Sequence, residues 1–244
     1  MNGFEKHGIK HLSASNLNTW IDAPDIWVLR YLLKRQTPSG AAAMRGSMVE
    51  KAVASTLLGM SQTEAVSEVL DQYDQQFGDD QTQRDLIEPM VTMSIDLLKP
   101  YGPPDFPEHG VQHKISLPLT TDEFTIPVIG YLDFVFPQQG LVIDLKTTTR
   151  IPSRMNYGHK VQRVIYQKSL GNYAVKFLYV SGKKNSLLED GDVFYTWQKI
   201  TKTAQRIEKF LRLVTKEEAV EIIPHNPNTF YWKGLDGLRE EVFG

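Results

Sequence analysis

Apolar positions recur at helical spacing through the first hundred residues, then give way to alternation and short apolar runs. The chain therefore reads as helices first and mostly strands afterwards. Leu12–Ser13–Ala14–Ser15–Asn16 reads as a helix start, with hydroxyls able to cap free amides ahead of Leu17, Trp20 and Ile21. Pro24 suits the first turn of a second helix carrying Ile26, Trp27, Leu29, Arg30, Tyr31 and Leu33, because that turn has no use for the missing N–H. Thr37–Pro38–Ser39–Gly40 is a break. A helix follows from Ala41 to Leu58, with Met44, Met48, Val49, Ala52 and Val53 along its apolar stripe. Gly46 inside it costs about 1 kcal/mol relative to Ala and marks close packing. Residues 61–99 hold two or three more helices, separated near Gly78–Asp79–Asp80. Tyr101 to Gly110, with three prolines and two glycines, reads as a linker.

Strand signals then appear at Val111–Leu119, Phe124–Phe136, Leu141–Thr147, Val175–Val180 and Val193–Trp197. A helix over about Tyr157 to Asn172 separates the third from the fourth, and another over about Thr201 to Val214 follows the last. The expected fold is α/β (α+β): a mixed central sheet flanked by helices, preceded by a helical N-terminal region. Residues 1–100 form that region and residues 101–244 the core, in one structural unit.

The pattern is most informative at Gly130–Phe136, the turn Pro137–Gly140, and Leu141–Thr147, which read as a hairpin. If the four turn residues form the loop, Phe136 pairs with Leu141 and Asp133 lies opposite Asp144. Alternation puts Asp133, Asp144 and Lys146 on one face, and Leu132, Phe134, Ile143 and Leu145 on the other. Opposed carboxylates roughly 5 Å apart repel, and a cation between them offsets that repulsion. Oxygen-only ligands suit Mg²⁺ or Mn²⁺. A register shifted by two instead pairs Asp133 with Lys146 as a cross-strand salt bridge. Gln162 and Tyr166, four apart, share one face of the following helix, where both could equally be plain surface residues. Glu50 is by itself an ordinary helical glutamate.

Composition changes the picture in two places. The cysteine count is zero, which excludes disulfides, cysteine-ligated zinc, iron–sulfur clusters and cysteine nucleophiles. The net charge of −2 conceals a strong asymmetry. Residues 1–149 carry a balance of −8, residues 150–216 a balance of +10, and residues 217–244 a balance of −4. Such a basic block either lines a groove for a polyanion or forms the solvated faces of helices. At 244 residues the chain is long enough to fold without staples. No run approaches a membrane span of about 18–20 apolar residues, and the start lacks the apolar segment of a signal peptide. The expectation is a cytoplasmic protein.

Taken together, Gly130 to Asp133, Asp144–Leu145–Lys146–Thr147 and Gln162 to Tyr166 resemble motifs of the PD-(D/E)XK nuclease superfamily, specifically its RecB-type exonuclease branch. Gly46–Ser47–Met48–Val49–Glu50 is similar to the branch's upstream helix, with Glu at the position of His or another metal ligand. Ser13–Ala14–Ser15–Asn16–Leu17 is similar to its start. The resemblance spans about Leu12 to Val180 and implies a restriction-endonuclease-like core. It implies Asp133, Asp144, Lys146, Gln162 and Tyr166 as the catalytic set. Glu50, Asp133, Asp144 and the Leu145 carbonyl would hold Mg²⁺ or Mn²⁺. Arg150, Arg154, Lys160, Arg163 and Lys168 would contact DNA phosphates. Ala23–Pro24 stands where iron–sulfur members have Cys-Pro, and the tail Pro224–Trp232 lacks their cysteines. No cluster is expected, so other packing must join the two ends of the chain.

The function so implied is a metal-dependent DNA nuclease, a free-standing exonuclease in recombination, repair or phage DNA processing. Its partners would be single- or double-stranded DNA ends and a recombination or single-strand-binding protein, with no membrane, and an oligomer is compatible with the pattern. An inactive nucleic-acid-binding protein on the same fold is the alternative. A third class, an enzyme unrelated to nucleic acid with Asp133 and Asp144 as an acid/base pair, leaves the basic block without a role. No Gly-x4-Gly-Lys-Ser/Thr loop occurs, and Ser181–Gly182–Lys183–Lys184 lacks its first glycine and closing hydroxyl, so these residues contain no helicase motor.

Overall fold

The computed structural model describes residues 1–106, 112–190 and 192–244. The end of the expected linker and the first residue of the expected Val111 strand lie outside the described residues. The short α1 (Gly3–Lys6) is followed by β1 (Leu12–Ser13) and α2 (Ala14–Asp22). Ser13 caps α2 by accepting the Asn16 amide proton, as its position ahead of the apolar stripe foretells. Pro24 opens α3 (Pro24–Trp27), which runs on into a π-helical turn at Val28–Leu32. Then come α4 (Ala41–Leu57), α5 (Gln62–Phe77), α6 (Gln81–Arg84) and α7 (Ile87–Leu98).

The mixed α/β class is as expected, but among the described residues seven strands divide into two mixed sheets flanked by helices instead of one central sheet. β2 (His113–Thr120) pairs antiparallel with β3 (Thr125–Leu132), and β1 adds parallel to the other edge of β3. The second sheet has the order β4 (Phe134–Phe136), β5 (Leu141–Thr147), β6 (Ala174–Val180), β7 (Asn185–Leu188), with β5 and β6 parallel. The expected long strand Phe124–Phe136 is broken by a bend at Asp133, so its two halves serve different sheets. The bend also changes facing. Leu132 packs in one core and Phe134 in the other, although unbroken alternation puts both on one side.

Phe136 pairs with Leu141 and Phe134 with Ile143. This is the register that sets Asp133 against Asp144, not the one shifted by two. β5 is buried on both faces. Leu141, Ile143 and Leu145 join α4, α5 and α7 in one core, while Val142 joins the core beneath α8 (Tyr157–Leu170) and α9 (Val193–Leu213). The first hundred residues are thus spread over both faces of the second sheet. Gly46 lets α4 lie against β5, since a Cβ there would stand 3.2 Å from Thr147 Oγ1.

Two sequence expectations fail beyond the sheet division. Val193–Trp197 is not a strand but the first turns of α9, capped by Asp192. The buried face of this helix is Thr196, Ile200, Thr203, Ala204, Ile207 and Leu211, a helical period that overrides the local alternation. β7 has no strand signal in its sequence and forms by pairing with the edge of β6.

α10 (Lys216–Ile222) and α11 (Asp236–Phe243) carry the chain back to its start. There Asp25, 1% exposed, accepts protons from four donors. These are the Ile26 amide at 2.8 Å, His225 Nδ1 at 2.9 Å, the Asn226 amide at 3.0 Å and Trp232 Nε1 at 2.9 Å. Ala23, Ile26, Leu29, Trp232 and Leu235 pack around them. This clasp is the packing that joins the two ends. No described helix is long and apolar enough to cross a membrane.

Candidate active site

The face of β5 toward α8 turns from apolar to charged as the strand nears its C-terminal end: Val142, then Asp144, then Lys146. Neighbouring parallel strands characteristically leave a ligand crevice at that end. Here the crevice is a cleft of about 710 Å³, lined among others by Glu50, Gln112, Asp133, Lys146, Gln162 and Tyr166. Residues from α4, the joint between the two sheets, β5 and α8 therefore converge on one space.

Two glutamine amides organise its carboxylates. Gln162 Nε2 donates to Asp144 Oδ2 at 2.8 Å and to the Tyr166 hydroxyl oxygen at 2.6 Å. Gln112 Nε2 donates to Glu50 Oε1 at 2.6 Å and to Asp133 Oδ1 at 2.9 Å. The other oxygen of Asp133 accepts the Leu145 amide proton at 2.9 Å, which locks it across the strand gap. Tyr166 donates in turn to the Tyr131 carbonyl. Its ring occupies the place a side chain at 130 would take: a Cβ on Gly130 would stand 2.6 Å from Tyr166 Cε1. That explains why the strand leading to Asp133 has glycine three residues earlier.

Asp144 is fully buried, and its Oδ1 lies within ion-pair reach of Lys146 Nζ but off the direction of a hydrogen bond. Burial, followed by the charges of Asp144 and Glu50, pushes the Asp133 carboxyl well above its usual range, while Lys146 and the Leu145 amide oppose the shift. Burial also raises Asp144, against the pull of Lys146 and Tyr166. Glu50 is raised by burial, opposed by its bond from Gln112. Burial would lower Lys146, but Asp144, Asp133 and Glu50 outweigh it and hold the ammonium above its ordinary value. The cation is thus kept charged by the carboxylates whose protonation it opposes.

The donor set fits a hard divalent ion in its chemistry. It offers oxygens only, and one of them, Asp144 Oδ1, is buried without a hydrogen bond. In the arrangement present, no three described His, Asp or Glu side chains gather closely enough to hold an ion by themselves. The Gln112 amide spans Glu50 and Asp133, and Lys146 covers Asp144.

Asp133, Asp144, Lys146, Gln162 and Tyr166 come together as the motif spacing implies, with Glu50 beside them. The five basic residues expected to meet DNA behave differently, and none lines the cleft. Arg163 is buried, its guanidinium bound to the Val175 carbonyl and Glu189, so it braces α8 against β6 instead. Lys160 is paired with Asp190 at 2.8 Å, and Lys168 lies over the Trp197 ring. Arg150 and Arg154 are exposed between β5 and α8.

Sequence reasoning missed Gln112, for which no signal existed, and His159. The latter stands three residues before Gln162, a spacing that puts both on one helix face. His159 Nδ1 lies 2.6 Å from the Tyr179 hydroxyl and the ring stacks on Phe177. Burial and the Lys146 charge lower it to about 4, so it is neutral at neutral pH.

A family model described as the PD-(D/E)XK nuclease superfamily matches residues 11–230. A search of curated proteins returns no relative. Among solved structures, the one described as "Crystal structure of SSO0001" covers 81% of this chain and 90% of its own at 11% identity, with a TM-score of 0.37. That likeness is too slight to bear on the site.

Proposed function

The chain belongs to the PD-(D/E)XK nuclease superfamily, and from that premise we propose that it is a Mg²⁺- or Mn²⁺-dependent deoxyribonuclease, an exonuclease of the RecB-type branch. The observation that carries the reading is the convergence of Glu50, Asp133, Lys146, Gln162 and Tyr166 on one cleft, with Asp144 buried directly behind Lys146 and Gln162. The RecB-type assignment rests on the order of the motifs along the chain. A place in recombination, repair or phage DNA processing follows from that assignment.

In this reading Glu50, Asp133, Asp144 and the Leu145 carbonyl would hold the divalent ion. Such an ion supplies Lewis-acid stabilisation of charge developing on the phosphate oxygens and makes the attacking water more acidic. The chain's own residues do the rest. Lys146, held charged by three carboxylates, faces the scissile phosphate and offsets the negative charge that grows as water attacks phosphorus and the P–O ester bond breaks. Asp133 is positioned by the Leu145 amide. Gln162 and Tyr166 hold Asp144 in place and wall the cleft. The products are a phosphate monoester and a free hydroxyl. Arg150 and Arg154 remain candidates for phosphate contact.

Incubation with single- and double-stranded DNA in Mg²⁺, Mn²⁺ or EDTA tests the proposal. Loss of nucleotides only with metal supports it. Binding without hydrolysis under every condition favours the alternative, a nucleic-acid-binding protein on the same fold.

A further inference from the structure

Beside the cleft, one turn further along α2 and at the first residue of α8, lies a second groove of about 470 Å³. Asn18 and Gly158 line the cleft and are joined by a hydrogen bond of 3.2 Å from Asn18 Nδ2 to the Gly158 carbonyl. The groove starts on the far side of that bridge, with Ile21 three residues after Asn18 and Tyr157 one residue before Gly158. Its other wall is α9, which contributes Tyr195, Lys199, Lys202 and Arg206.

The surface here is unusual for a solvated helix. Tyr157 is 38% exposed and Tyr195 56%, and Lys199 joins the two rings on the groove wall. Apolar residues scattered singly on a surface need no explanation, but a cluster bordered by charge does. Lys199, Lys202 and Arg206 have no carboxylate partner among the described residues, whereas Lys160, Arg163 and Arg212 each have one. Lys199 Nζ instead lies 5.5 Å from the Tyr157 ring centroid and 4.4 Å from that of Tyr195. The row continues through Lys209 and Arg212 into a further recess along α9. From Lys199 to Arg212 it runs about 20 Å at helical rise.

We infer that this groove is a subsite for unpaired nucleotides of a DNA strand that passes over the Asn18–Gly158 bridge into the cleft. The inference rests on the nuclease reading only for the strand's destination. The pairing of exposed ring faces with a row of basic side chains, of which Lys199, Lys202 and Arg206 have no carboxylate partner among the described residues, is what recognises single strands: bases stack on the rings while phosphates follow the charges. A base held in a duplex has no face to offer Tyr157 or Tyr195. Lys199 would exchange its rings for a phosphate when a base arrives. The occupant is therefore a single strand rather than a duplex, and the +10 balance of residues 150–216 gains a location on α9.

Binding of a fluorescent oligothymidylate and of a duplex of equal length, read by anisotropy in EDTA, tests this. The variants are Tyr157→Ala with Tyr195→Ala, and separately Lys202→Ala with Arg206→Ala. Both pairs are exposed, and melting curves confirm that the variants fold. The aromatic pair should lose at least about tenfold in single-strand affinity with an unchanged salt slope, and much less on the duplex. The basic pair should flatten the slope of log affinity against log salt by about 1.4. Unchanged single-strand affinity in the aromatic variant, or an equal loss on the duplex, overturns the inference. Hydrolysis takes no part in EDTA, so these outcomes stand apart from those of the nuclease test.

Discussion

The molecule buries carboxylates in two regions and treats them in opposite ways. In the terminal clasp, Asp25 is surrounded by donors: two backbone amides, an imidazole and an indole. In the cleft, Asp133 and Asp144 are equally buried but stand near each other and Glu50, with Lys146 as the cation among them and one Asp144 oxygen lacking a hydrogen bond. The first arrangement satisfies every lone pair it can reach and ties Pro24 to Trp232. The second leaves like charges in low dielectric, which costs stability unless something of positive charge arrives. A buried carboxylate with its donors complete is architecture here, whereas the proposed function gives the cleft carboxylates a chemical use.

That contrast breaks most sharply by substitution in the cleft. Asp144→Asn should lower DNA hydrolysis by about 10²–10³-fold or more while the protein stays folded, whereas Asp25→Asn should leave hydrolysis per folded molecule unchanged. Comparative rates in Mn²⁺ decide this. Truncation at the clasp has the next largest effect. Asp25→Ala strands the Trp232, Asn226 and His225 donors in the interior, and should cost about 3–5 kcal/mol in urea unfolding, with no recovery on adding metal.

Tyr166→Phe should cost about 1 kcal/mol of stability by removing the donor to the Tyr131 carbonyl, and lower activity with metal affinity nearly intact. Collapse of metal binding would contradict the role given to its hydroxyl. The smallest effect concerns His159. Its folded value, lowered from 6.5 to about 4, means the unfolded chain takes up its proton first, so stability is lost as pH falls through that window. His159→Gln should make the decline shallower, by no more than about 1 kcal/mol given partial exposure. Unfolding free energies at several pH values between those limits measure it.

How much of this the sequence disclosed depends on whether the cause was local. Leu141–Thr147 was legible because a continuous apolar run with two charges has few other interpretations, and its pairing with Phe134–Phe136 followed from the loop length. The bend at Asp133 was not, since alternation continues through it and only the existence of two sheets requires it. The start of α9 was misread because Val193, Tyr195 and Trp197 alternate over five residues. The helix prevails through Ile200, Ile207 and Leu211, which lie further along and fix its period. In the site, alternation put Asp133, Asp144 and Lys146 on one face but left two registers open, and helical spacing put Gln162 and Tyr166 on one face without marking them as functional; their roles came from resemblance. Glu50 came only from resemblance. Gln112 came from nothing, because an amide just before a strand meets its carboxylates only in three dimensions. Charge was legible as a total but not by residue: Arg163 lies in the basic block and is structural, while Lys199 and Lys202 face open surface.

The most direct measurement of the central claim is a set of melting curves for the wild-type protein and Asp133→Asn, each metal-free and with Mn²⁺. Asn at 133 can still accept the Leu145 amide proton through its one oxygen but gives up the bond from Gln112, so the substitution exchanges one hydrogen bond for the removal of a buried charge. Because burial and like charge raise Asp133, the stability associated with it is complete below the ordinary Asp range and is lost as pH rises through the raised value. At neutral pH the metal-free variant should therefore melt higher than the wild type, by about 1 kcal/mol, and the gap should close in acid. Mn²⁺ should stabilise the wild type as RT ln(1 + [L]/Kd) and the variant far less. A metal-free variant that melts lower, with Mn²⁺ shifting both proteins equally, would contradict the account.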